Sequence, residues 1–216
     1  EMAFLANINA TAYTAPSFDT WINKQDFEPW YVWFKRYLQY VQWEDGTAGK
    51  PFVLKAPHHL GFMPLVFKYF PGAVVVHTHR DPSTAVASFA SLAQAARAAN
   101  QYSADKHQTG RYILDYMAMR LRVYTADRAT VGHEDQFIDL SYKKVVTEAV
   151  NIVERVYEKA GVPFTEETVK AVKAWEAEFE QHKHGGHSYS LEEFGLTQAE
   201  ADEAFKPYMQ RFAEFV

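Results

Sequence analysis

The sequence predicts an α/β fold in which a parallel sheet is flanked by helices, and three observations carry that prediction. Short β-branched apolar runs at 52–54, 72–76 and 136–140 read as buried strands. Segments of helical length and period lie between them, as expected of parallel βαβ units. The first two runs end in basic and imidazole groups, Lys55 and His77-Thr78-His79-Arg80. Ligands of parallel sheets bind outside the carboxyl ends of the strands, so this placement favours an anion.

Along the chain, residues 2–8 read as the end of a helix and 18–22 as a short one. Asp26 is expected to cap a helix with Pro29 in its first turn, where Trp30, Trp33, Phe34, Tyr37, Leu38 and Val41 recur at three- and four-residue steps. That broad apolar face is expected to pack on the sheet, with the lining of an acceptor pocket as the sharper alternative. Residues 46–50 turn into the first strand. Asp81 is an N-cap and Pro82 a first helical residue, so a helix starts directly after Arg80 and offers free N–H groups to a phosphate. Thr84, Ser88 and Ser91 share one face of it. Residues 99–110 are polar and aperiodic and read as a surface loop, and 111–130 as a helix with Ile113, Leu114, Met117, Leu121 and Tyr124 in one stripe. Thr165 starts a further helix, Ser190/Glu193 and Thr197/Glu200 form capping boxes, and the last helix runs to Val216.

Composition narrows the function classes. A single domain spanning 1–216 is expected, long enough for a substantial core. A net charge of −5 argues against a general nucleic-acid binder, so a phosphate site must be local. The absence of cysteine removes thiol catalysis and thiolate metal sites and is compatible with a cytoplasmic setting. No apolar run reaches the ~20 residues a transmembrane helix needs. The sequence opens at Glu1, in what reads as mid-helix, and is expected to be the covered portion of a longer protein. Oligomeric state is not readable.

The segments LKAPHHL and FPGAVVVHTHRDPSTAVASFASL resemble the sulfotransferase family that uses 3′-phosphoadenylyl sulfate, in its bacterial-type branch. Lys55, Ala56, Pro57, His59 and Leu60 match the family's Lys-Ser-Pro-x-His-Leu turn. Phe70, Pro71 and Ala73, then His79, Arg80, Asp81, Pro82 and Ser88, match its next two motifs. Tyr142, Gly161, Val162 and Pro163 continue the likeness, as do Gly185, His187, Tyr189, Ser190, Phe194, Gly195 and Leu196. The resemblance implies a P-loop NTPase-like sheet and a sulfuryl transfer to a small-molecule alcohol, phenol, sugar, lipid or amine. It implies Arg80 and Ser88 on the 3′-phosphate, Tyr142 near the adenine, and Lys183 or His187 on a loop closing over that phosphate. One departure stands out: the family's Arg-Ser-Gly-Thr-Thr phosphosulfate loop is absent from these 216 residues. In the family it lies upstream of the position where this sequence begins, together with the first strand. Some branches place a base glutamate just after it, which makes Glu1 a remote candidate.

In-line sulfuryl transfer needs a base for the acceptor proton and a cation for the leaving oxygen. Lys55 fits the cation, and His59, with His58 as its alternative, fits the base. Two rivals remain. The clusters His58/His59, His77/His79 and His182/His184/His187 admit a metal-dependent hydrolase, although no metal is expected, and the missing loop admits a non-catalytic nucleotide-binding protein.

Overall fold

The computed structural model describes residues 11–13, 15–179 and 188–216. The expected helix at 2–8, Glu1, Lys183 and His187 lie outside the described residues. Helices α1 (Pro16–Ile22), α2 (Glu28–Glu44) and α3 (Met63–Tyr69) lead to strand β1 (Val75–His79). Helices α4 (Pro82–Asn100) and α5 (Lys106–Thr130) follow and return the chain to β2 (Phe137–Ser141). Helices α6 (Tyr142–Thr147), α7 (Ala149–Lys159), α8 (Glu166–Glu178) and α9 (Gln198–Phe212) complete the order. The strands are parallel, with Val75 opposite Phe137 and His79 opposite Ser141. The result is a helix-rich α/β fold, as expected.

Only two strands pair among the described residues, where three were expected. Residues 51–56 have no regular structure, and Val53 is 96% exposed. A strand needs a hydrogen-bonded neighbour on its edge, and the apolar run Phe52-Val53-Leu54 finds none among the described residues. The other two strands form slightly later than their apolar runs. β1 extends through His77 and His79, whose inward imidazoles find hydrogen-bond partners in Tyr124, Tyr208 and Asp139.

The main core joins α2, α3, α4, α5 and α9 through residues such as Tyr31, Phe67, Val86, Ile113, Tyr124 and Phe205. A smaller cluster of Ile138, Leu140 and Ile152 packs α7 on the sheet. Helix α2 buries Tyr31, Phe34 and Leu38, whereas Trp33 and Tyr37 are largely exposed. The predicted face is therefore too broad on the side of Trp33 and Tyr37: the stripe Tyr31, Phe34 and Leu38, with Trp30 packed beside it, meets the core. Asp26 stands one residue ahead of the N-cap and accepts the Glu28 N–H at 2.9 Å.

The expected loop at 99–110 shrinks to 101–105. Asp105 accepts the Gln108 N–H and starts α5 five residues early, and Gly110 lies inside the helix rather than ending a loop. A Cβ there would stand 2.4 Å from the Phe194 carbonyl oxygen. The glycine lets the one-turn helix Glu192–Phe194 lie flat on α5, which fixes the chain just after Tyr189. At the far side of the same turn, Gly195 takes φ +67° against His107.

Candidate functional site

Parallel pairing brings the two strand ends side by side, so Arg80 and Tyr142, each the residue after a strand, become neighbours. The Arg80 guanidinium lies 4.9 Å from the centre of the Tyr142 ring, a cation–π contact. Arg80 also donates to the Tyr189 hydroxyl at 3.1 Å. Ser88, two turns along α4 from that strand end, hydrogen-bonds the same hydroxyl, and these bonds from Ser88 and Arg80 lower the Tyr189 pKa. Three residues expected on separate segments, Arg80, Ser88 and Tyr142, thus meet at one place. Tyr189 joins them. Its position within the matched Tyr-Ser pair was the available signal, but no role followed from the sequence.

The start of α4 works differently from expectation. Asp81 accepts the N–H groups of Ser83 at 3.3 Å and Thr84 at 3.0 Å, and the Thr84 hydroxyl at 2.5 Å. The helix terminus is therefore satisfied by its own carboxylate, and the donors open to an anion are side chains. Beside them lies a cleft of about 220 Å³ lined by Asp81, Thr84, Tyr189, Glu192 and Gln198. A larger cleft of about 500 Å³, bounded by Arg155, Lys159 and Phe215, reaches the start of β2. The smaller one sits where α/β sheets bind ligands, at the carboxyl strand ends, and is the better candidate.

A second group forms around the turn Pro57–His59. The His59 Nδ1 is 2.8 Å from the hydroxyl of Tyr31, and the ring packs by Phe34 at 5.9 Å between centres. Three anchors hold the turn. Tyr31 grips it from α2, Gly61 at φ +82° fits against Val123 of α5, and the Met63 N–H donates to Asp127 of α5 at 3.2 Å. His58 is half-buried, and Lys55 is exposed in the segment leading to the turn.

A third group is built on the second histidine pair, His77 and His79 of β1. His79, 1% exposed, bonds Tyr208 at 2.7 Å through Nδ1 and Asp139 at 2.8 Å through Nε2. Arg128 donates to both oxygens of Asp139 at 3.0 Å and also pairs with Glu134. Burial raises the Asp139 pKa, but bonds from His79 and Arg128 outweigh it and hold the carboxyl well below the usual range. His77 meets Tyr124 at 2.9 Å. Burial and the neighbouring His79 push its pKa down to about 3. The ligand atoms of His77, His79 and Asp139 do lie within 4.8 Å of one another, the spacing of a metal site. Yet both nitrogens of His79 are engaged and Asp139 already neutralises a guanidinium, whose charge would repel a cation. The network is a satisfied polar core, and the metal-hydrolase alternative is not favoured.

Comparison with known proteins agrees with the motif resemblance. A sequence model described as "Sulfotransferase family" matches residues 3–166. No curated protein sequence matches significantly. Among solved structures, sulfotransferase STF9 from Mycobacterium avium superposes with a TM-score of 0.83 at 26% identity, covering 94% of this chain and 52% of that one. Sulfotransferase STF1 from Mycobacterium tuberculosis H37Rv gives a TM-score of 0.78 at 30% identity, covering 92% of this chain and 50% of that one. The chain spans about half the length of each.

Proposed function

Because this chain belongs to the sulfotransferase family, we propose that it moves a sulfuryl group from 3′-phosphoadenylyl sulfate to a hydroxyl or amine of a small molecule. Arg80 and Ser88 hold the donor's 3′-phosphate and Tyr142 flanks the adenine. The observation that carries this reading is the convergence of Arg80, Ser88, Tyr142 and Tyr189 at the carboxyl ends of two parallel strands. A guanidinium and two hydroxyls in one place form a donor-rich set suited to phosphate oxygens.

In the transfer, the bond from sulfur to the leaving phosphate oxygen breaks while the bond to the acceptor oxygen or nitrogen forms. His59 takes the acceptor proton, with His58 as the alternative base, and Lys55 balances charge on the leaving oxygen. By the motif resemblance, Lys183 or His187 supplies a charge on a loop that closes over the 3′-phosphate. Among the described residues no helix is long and apolar enough to cross a membrane. The cytoplasm, where the donor would be at hand, is the proposed compartment.

Calorimetric titration of the full-length protein with 3′,5′-adenosine bisphosphate tests the reading. Removing a charged hydrogen bond to a phosphate costs about 1.5–3 kcal/mol, so Arg80→Ala should weaken binding by roughly 10–150-fold. Absence of binding by the full-length protein, or equal affinity in the variant, would refute the site. Binding without sulfuryl transfer to any acceptor would favour the non-catalytic alternative.

A further inference from the structure

Helix α2 was expected to supply packing or pocket lining, yet its most buried aromatic residue makes a specific polar contact with the proposed base. Tyr31 is 1% exposed, its ring lies near Phe62 and Tyr69, and its hydroxyl is 2.8 Å from the Nδ1 of His59. We propose that Tyr31 is the positioning residue of this active site: its hydroxyl oxygen accepts the Nδ1–H of His59, fixes that tautomer, and leaves Nε2 to take the acceptor's proton. This rests on the base assignment made above.

The direction of the bond follows from what a base must do. A neutral imidazole has one N–H and one lone pair. With Nδ1 facing the buried hydroxyl of Tyr31, Nε2 is the nitrogen the proposal assigns to the acceptor's proton. If Tyr31 donated to Nδ1, Nε2 would carry the hydrogen and could take no proton. If Tyr31 accepts from Nδ1–H, the lone pair of the neutral ring is on Nε2. The same bond then survives when the ring becomes imidazolium, because both nitrogens are donors in that form. No group has to rotate during the transfer. The rigidity required comes from the core: Tyr31 is anchored on α2 among Phe62 and Tyr69, while Gly61 and the Met63 N–H pin the His59 turn to α5. Lys68 and Tyr69 both bond Glu28 in the first turn of α2, which ties α3 to the helix that carries Tyr31.

The test pairs Tyr31→Phe with His59→Gln in the full-length protein. Tyr31→Phe retains the packed ring and removes only the hydroxyl. Long-range ¹⁵N spectra of the imidazoles, with His59 identified by its loss in His59→Gln, report the tautomer without any need for turnover. The expected result is a predominant Nδ1–H form in the native protein and a shift toward Nε2–H in Tyr31→Phe. Loss of a residue that orients a reacting imidazole should lower kcat by roughly 10-fold or more, with KM for the donor and affinity for 3′,5′-adenosine bisphosphate unchanged. A native Nε2–H tautomer overturns the proposal, and that measurement does not depend on Tyr31→Phe folding. An unchanged tautomer and kcat in Tyr31→Phe overturn it too, even where His59→Gln is inactive. Full turnover in His59→Gln overturns instead the base assignment beneath it.

Discussion

Replacing Gly110 by alanine should destabilise this protein, against the usual sign for a glycine inside a helix. In an open helix the change would gain about 1 kcal/mol of propensity. Here the new methyl carbon would stand 2.4 Å from the Phe194 carbonyl oxygen and 2.6 Å from its Cβ. Neither atom is the free end of a flexible side chain. Phe194 is buried, and its turn is closed by bonds from the N–H groups of Phe194 and Leu196 to the Leu191 carbonyl, each at 3.0 Å. His107 crowds the other end of that turn at Gly195. The whole turn must therefore move off α5, and overpacking of this kind costs about 1–3 kcal/mol, more where backbone is displaced. Taking the upper part of that range because backbone moves, the net is a loss of roughly 1–2 kcal/mol after the propensity gain. Urea unfolding should show a lower midpoint with an unchanged slope. Because Tyr189 lies just before the turn, affinity for 3′,5′-adenosine bisphosphate should fall as well. A variant about 1 kcal/mol more stable than the native protein would refute the close-approach argument outright.

Three further outcomes are expected. His77 is held neutral with a pKa of about 3 against an ordinary 6.5, so the unfolded chain binds the extra proton between those values. Stability should be fully present above about pH 6.5 and fall as the pH drops toward 3, by at most about 5 kcal/mol; chemical unfolding of His77→Asn across that window should give a flatter profile. Arg128→Ala leaves Asp139 and His79 buried without their guanidinium and should cost about 3–5 kcal/mol, read as a lowered thermal midpoint. Asp81→Ala removes the cap of α4 and should cost about 1 kcal/mol in urea unfolding, with no gain in nucleotide affinity if the anion is held by side chains rather than by the helix terminus.

Local rules were sufficient wherever a residue answers only to its neighbours in sequence. Asp81 caps α4 and Thr197 with Glu200 forms its reciprocal cap, as their spacing required. That the runs near 72–76 and 136–140 would lie parallel was expected of βαβ units, but that they pair with each other, and so bring Arg80 to Tyr142, is seen only in the structure. The resemblance named the family from motifs dense enough to identify it over residues 54–92. What the sequence could not decide were contacts between segments far apart in the chain. The run at 52–54 has every propensity of a strand and forms none, since pairing depends on a neighbour rather than on the run itself. Gly110 reads as a loop residue until Phe194 is seen pressed against it. Tyr31 is one aromatic among many on α2, and only the folded chain sets its hydroxyl, 28 residues from His59 in sequence, within hydrogen-bonding distance of that ring. Propensity and capping energies are properties of a few consecutive residues, whereas hydrogen bonds between elements exist only once packing has chosen which faces meet.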